Sequence, residues 1–285
     1  MIDSRGPVGV FDSGLGGLSV LRAVRALLPH EDIVYVADSG NAPYGGRDDA
    51  FIIERSLAIS EWLLGQHAKA MVVACNTATA QAVHLLRTLS PIPLVGVEPG
   101  LKPAAAISKT GVAGVLATAS TLRSEKFRRL LDEHQTRCRY LCQPGLGLVE
   151  MIERGDTDSP ALMALLEQYL APMLAEGADT LVLGCTHYPF VDTAIRRITG
   201  DRLTIVDTSA AIAQQLARLL GRPLTQAEST PDAADRPQGR VRLCTTGDPE
   251  PLAYVARTLL GLEQSVEILS IPSRHTHDGS PAVSV

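Results

Sequence analysis

One pattern recurs along this chain and decides its fold class: a short apolar run, a small polar or glycine-rich turn, then an amphipathic run. Val8 to Phe11 is followed by Asp12-Ser13-Gly14-Leu15-Gly16-Gly17, then by an amphipathic run from Leu18 to Leu28 that Pro29 stops. Ile33 to Val36 leads into a polar loop, Asp38 to Gly46, and a helix over 50–64. Ala70 to Ala74 passes through Cys75-Asn76-Thr77 into a helix from about Thr79 to Leu89, and Leu94 to Val97 is the next strand. Gly111 to Leu116 precedes a helix near 124–134, and a further helix covers 159–175. Thr180 to Leu183 is a strand ending in Cys185-Thr186-His187, and a late strand (241–245) and helix (249–260) follow. Strands that alternate with helices through short turns predict an α/β fold built on mainly parallel sheets flanked by helices. Residues 222–240 hold three prolines and little periodicity, which predicts a surface loop. The polar tail after Ile271 is expected to be disordered.

Two of these units echo each other. Ala70-Met71-Val72-Val73-Ala74-Cys75-Asn76-Thr77 and Thr180-Leu181-Val182-Leu183-Gly184-Cys185-Thr186-His187 are both buried-type strands that end in cysteine and small polar residues. Parallel strands can end this way by chance. The alternative is two similar α/β domains, each placing a cysteine at the carboxyl end of a strand, where open α/β sheets bind ligands. A length of 285 residues suits two domains of about 150 residues.

Composition narrows the function. Lys plus Arg is 26 against 31 for Asp plus Glu, and aromatics are 4%. A net charge of −5 with few stacking residues argues against nucleic-acid binding. No stretch of 18 consecutive apolar residues occurs and the N-terminus has no apolar signal core, so neither a membrane span nor a secretory leader is expected. Five cysteines in a long chain do not form a disulfide framework, which points to free thiols and the cytoplasm.

A buried cysteine usually serves as a small apolar side chain, and Cys138, Cys142 and Cys244 are read that way. Cys75 and Cys185 sit where a strand meets a helix N-terminus, a position expected to lower a thiol pKa toward neutrality. Three chemistries could use them. Asp12, Cys75, Cys185 and His187 have the donor types of a zinc site but not its compact spacing. A cysteine nucleophile with His187 as base would make a hydrolase and leave Cys75 idle. Two thiols on opposite faces of a carbon acid would take a proton from one side and return one from the other, giving the mirror image. Ligand binding with inert thiols is a further possibility.

The turn Asp12 to Gly17 fails the dinucleotide pattern because Ser19 takes the third glycine position, and no Walker pattern exists. It fits a zwitterion better: Asp12 for an ammonium, Ser13 and the helix N-terminus for a carboxylate. Gly45 and Gly46 permit close backbone approach. His187 suits a proton-transfer assistant, and Glu150 and Glu153 lie three apart on an expected helix. No arginine lies in these motifs, so anions would rest on N–H and hydroxyl groups.

Taken in order, these stretches are similar to those of glutamate racemases, in the cofactor-independent aspartate/glutamate racemase superfamily. The matching segments are residues 9–20, Pro43-Tyr44-Gly45, Ala74 to Ala78, Gly96-Val97-Glu98-Pro99, Leu181 to Pro189 and Thr246-Gly247-Asp248-Pro249. The resemblance implies interconversion of L- and D-glutamate without pyridoxal phosphate, metal or nucleotide. It implies Cys75 and Cys185 as acid/base thiols and Asp12, His187 and Glu153 as assistants, with Glu150 a rival to Glu153. Ser13, Tyr44, Gly45, Asn76, Thr77, Thr186 and His187 would contact substrate, with Asp12 beside them. It implies two pseudo-symmetric domains with the site in the cleft between them: residues 1–98 plus 207–271, and 99–206, followed by a tail over 272–285. A homodimer and a supply of D-glutamate for peptidoglycan are also implied.

Overall fold

The computed structural model describes residues 5–222 and 237–272. The loop expected over 222–240 falls largely outside these residues, and the tail over 272–285 almost wholly outside.

Among the described residues ten strands form two sheets, parallel throughout. The first contains β1 (Val8–Asp12), β2 (Ile33–Ala37), β3 (Ala70–Val73), β4 (Leu94–Gly96), β9 (Val241–Thr245) and β10 (Val266–Ile268), in the order β10-β9-β2-β1-β3-β4. The second contains β5 (Val112–Ala117), β6 (Arg139–Pro144), β7 (Thr180–Gly184) and β8 (Thr204–Val206), in the order β6-β5-β7-β8. The chain thus leaves the first sheet after β4, builds the second, and returns to add β9 and β10.

Side-chain alternation explains the layering. In β2, Ile33, Tyr35 and Ala37 enter one apolar core, and Val34 and Val36 enter the other. The first core is covered by α1 (Leu18–Leu27), α10 (Ser209–Leu219) and α11 (Pro249–Leu260). The second lies under α2 (Asp49–Gly65) and α3 (Asn76–Leu89). In the second sheet, Leu181 and Leu183 face one core, with α8 (Pro160–Ala175) and α9 (Asp192–Thr199), while Val182 faces the other, with α4 (Leu101–Ile107) and α6 (Glu125–His134). Each fully buried branched side chain contributes about 2 kcal/mol. No helix among the described residues is long and apolar enough to cross a membrane.

The helix expected from about Thr79 begins at Asn76 instead. Cys75 is its N-cap, and the Cys75 sulfur accepts the Ala78 N–H at 3.4 Å, so the polar Asn-Thr pair is helical. The sequence pattern has no counterpart for helices α4, α5 (Ala119–Arg123), α9 and α10 or for strands β6, β8 and β10. Edge strand β6 is half-exposed and lacks apolar alternation, and α7 (Leu148–Glu153) is the helix expected to carry Glu150 and Glu153.

Candidate active site

Strand order determines where the site forms. In the first sheet β2 and β3 lie on opposite sides of β1, and in the second β6 and β7 lie on opposite sides of β5. Each arrangement is a topological switch point, where following helices diverge and leave a crevice at the strands' carboxyl ends. Asp12 ends β1 and Cys75 follows β3; Thr118 follows β5 and Cys185 follows β7. Both thiols therefore occupy switch points, and both line one cavity. Ser13, Tyr44, Gly45, Asn76, Thr77, Thr186 and His187 line it as well. Its volume is about 10 Å3, room for one water.

The Cys75 side is built from β1 and α3. The Cys75 thiol donates to Ser13 Oγ at 3.6 Å. Asp12 is fully buried, accepts the Ser13 N–H at 2.7 Å and the Thr186 hydroxyl at 3.2 Å, and takes the Gly17 N–H on the same oxygen as Thr186. Burial raises the Asp12 carboxyl pKa, against the lowering influence of His187. The expectation of a lowered Cys75 pKa is reversed: burial pushes the thiol well up, Asp12 adds to it, and the Ala78 N–H offsets only part. A helix N-terminus does not overcome the loss of water around a sulfur that is 4% exposed.

The Cys185 side is different. Its sulfur lies 3.7 Å from His187 Nδ1, and His187 Nε2 meets Glu153 Oε1, which also accepts the Leu15 N–H at 2.7 Å. Burial works against a charge on His187, yet its contacts with Cys185 and Glu153 prevail and hold its pKa well above the ordinary value. Burial likewise opposes a charge on Glu153, and His187 with the Leu15 N–H outweighs it. Both shifts favour the charged pair; Nε2 faces the Glu153 carboxylate, with the Gly16 N–H 3.3 Å away, and Nδ1 faces Cys185. Glu150, the rival, is exposed on α7 and Glu153 is the carboxylate at the site.

The turn glycines now have a reason. A Cβ at Gly14 would lie 2.1 Å from Glu153 Oε1, and one at Gly16 would lie 2.5 Å from His187 Nδ1. The turn lacks side chains so that residues of the second sheet can press against it.

Tyr44 is buried and its hydroxyl donates to Asp38 at 2.5 Å, so it is committed to a neighbour. Asp38 also accepts from Arg55 at 2.8 and 3.0 Å and from Thr246 at 2.7 Å, which fixes the 39–46 loop. The amide Nδ2 of Asn76 is buried without a hydrogen-bond partner among the described residues. Such a donor beside an anion-sized site is a ready carboxylate contact. Thr77 and Thr118 join the two sheets through their hydroxyls at 2.8 Å. Sequence reasoning assigned nothing to Pro43, Thr118 or Val149, which also line the cavity. Thr118 carries a signal, since it follows a strand as Ser13 does. Among the described residues no group of three or more His, Cys, Asp or Glu side chains is placed to hold a metal ion.

Two parallel sheets thus each bring one thiol, from the carboxyl end of a strand, to a single cavity. Residues 18–216 match the Asp/Glu/Hydantoin racemase family. A glutamate racemase of Ralstonia nicotianae is 56% identical over 279 residues, 96% of this chain and 98% of that one. A solved glutamate racemase of Bacillus anthracis has 31% identity and a TM-score of 0.82, covering 95% of this chain and all of the other. That of Escherichia coli, solved with L-glutamate and the activator UDP-MurNAc-Ala, has 31% identity and a TM-score of 0.80, covering 94% of this chain and all of the other. This chain belongs to the Asp/Glu/Hydantoin racemase family and, within it, to the glutamate racemases.

Proposed function

We propose that this enzyme interconverts L- and D-glutamate by proton transfer between two thiols at the α-carbon, without a cofactor. The observation that carries this reading is that Cys75 and Cys185, from different sheets, line one cavity with different partners behind each. The His187 imidazolium sets a positive charge against the Cys185 sulfur, the arrangement a thiolate base requires. Cys75 keeps its proton and is the acid on the other face. Cys185 takes the α-proton of L-glutamate, the electron pair spreads onto the α-carboxylate, and Cys75 gives a proton from the opposite side. The reverse begins at Cys75. Asn76, Thr77, Thr186, Ser13 and the backbone at Tyr44 and Gly45 hold the carboxylates, and Asp12 faces the ammonium. The same reading divides the chain into residues 1–98 with 207–271 and residues 99–206. It makes the enzyme a cytoplasmic homodimer that supplies D-glutamate for peptidoglycan.

The test is incubation with L-glutamate in heavy water, following optical rotation and deuterium at the α-carbon. Rotation should decay to zero with deuterium incorporated, and persistent rotation would overturn the proposal. Cys75→Ala should exchange only L-glutamate and Cys185→Ala only D-glutamate, neither racemising. Wild-type racemisation by either variant would sink the two-thiol mechanism.

A further inference from the structure

Tyr35 lies on β2, fully buried beneath the glycine turn, and takes no part in the chemistry above. Its hydroxyl donates to the Gly14 carbonyl at 2.9 Å. The N–H of that same peptide unit belongs to Leu15, and it donates to Glu153 Oε1 at 2.7 Å. Glu153 meets His187 Nε2, and His187 Nδ1 lies 3.7 Å from the Cys185 sulfur. One unbroken run of hydrogen bonds therefore joins a core tyrosine to one of the two thiols. We infer that Tyr35 is a positioning residue for proton transfer at Cys185, acting through the Gly14–Leu15 peptide. This rests on the two-thiol reading.

Two physical facts support it. Glycine at 14 is required because Glu153 crowds the position, and that same glycine leaves the peptide free to rotate. An external hydrogen bond to the carbonyl fixes the plane and so fixes where the Leu15 N–H points. A carbonyl that accepts a hydrogen bond also makes the N–H of its own peptide a stronger donor. Both effects hold Glu153 as a carboxylate facing His187. The groups around the His187 ring are Glu153 from α7, Cys185 beside it, the Gly16 N–H of the glycine turn at 3.3 Å from Nε2, and Asp12 from β1. Tyr35 reaches the ring through the glycine turn, by way of Leu15 and Glu153 and of the adjoining Gly16 N–H, whereas the Cys75 thiol is held by Ser13 and Ala78 and is not a member of this run of hydrogen bonds.

Tyr35→Phe keeps the ring and removes the donor. Combined with Cys75→Ala, it should slow deuterium uptake by L-glutamate roughly tenfold, equal to about 1.4 kcal/mol. Combined with Cys185→Ala, it should leave uptake by D-glutamate within about twofold, a split that general loosening of the core would not produce. In otherwise wild-type protein, the ring nitrogen NMR signals of His187 should move toward the neutral form. Should Tyr35→Phe not fold, 3-fluorotyrosine at position 35 gives a more acidic donor of nearly the same shape and should move those signals the other way. Equal slowing on both faces with unchanged His187 signals would overturn the inference. If instead the single-cysteine variants fail their own face test, the two-thiol reading fails, while the His187 signals still decide whether Tyr35 governs the relay.

Discussion

Two neighbours outweigh burial at His187 and raise its pKa, and the consequence can be measured as stability. A histidine raised above its ordinary 6.5 adds its full contribution below that pH and loses it as pH climbs through the folded value. Glu153, lowered from 4.5, contributes above that pH and loses it as pH falls through its own folded value. The pair therefore contributes in full between pH 4.5 and 6.5. Glu153→Gln preserves shape and removes the charge. Its thermal stability should fall below wild type by about 1–2 kcal/mol in that window, with the gap closing above it as His187 deprotonates and below it as Glu153 protonates. A gap independent of pH would show that the two side chains do not form an ion pair. At this scale the sequence revealed residue types but not their environments. Cys75, Cys185 and His187 were legible because each follows a strand in a polar motif. The rise of the Cys75 pKa was not, since burial by the second sheet is a tertiary fact.

Turns and strand ends place these side chains, and the glycines of the first turn separate two kinds of glycine. Gly16→Ala puts a Cβ 2.5 Å from His187 Nδ1 and 2.6 Å from Thr186 Oγ1. A displacement of about 1 Å there should reduce kcat/KM roughly a hundredfold with the fold retained by circular dichroism. Gly65, at the end of α2, has nothing within 4 Å of such a Cβ. Gly65→Ala should leave kcat/KM unchanged and raise stability by about 0.5–1 kcal/mol. Comparable rates for the two variants would show that close approach at Gly16 does not matter. The elements behind these positions were mostly legible from period and turn residues. The start of α3 was not, because a cysteine cap has no place among the usual Ser, Thr, Asp and Asn signals. Strand β6 was missed because a half-exposed edge strand has no apolar pattern to read, and Thr118 was passed over for want of a reactive group.

On the scale of the molecule, the site exists only where the two sheets face each other, and it is shut. Thr77 meets Thr118, Thr186 donates to Asp12, and Glu153 accepts from Leu15, all across the boundary between the sheets. Space for about one water does not admit glutamate, so substrate must enter as these contacts part. Thiol labelling measures that opening. Cys142, read from the sequence as a buried apolar side chain, is instead exposed because β6 is an edge strand, whereas Cys75 and Cys185 are only 4% and 6% exposed. An alkylating reagent should therefore modify Cys142 first, without loss of activity. Modification of Cys75 and Cys185 should follow more slowly, at a rate set by opening and by the small thiolate fraction at Cys75, whose pKa burial has raised. Peptide mass spectrometry against time, with activity measured on the same samples, resolves the two phases. Activity should fall with the second phase alone, and glutamate should slow that phase by occupying the space between the thiols, leaving the Cys142 rate untouched. Chelators and carbonyl reagents should leave activity intact, and a chelator loss restored by zinc would revive a metal at the thiols. Loss of activity in step with Cys142 would place the chemistry outside the cleft between the sheets and overturn the assignment of the site.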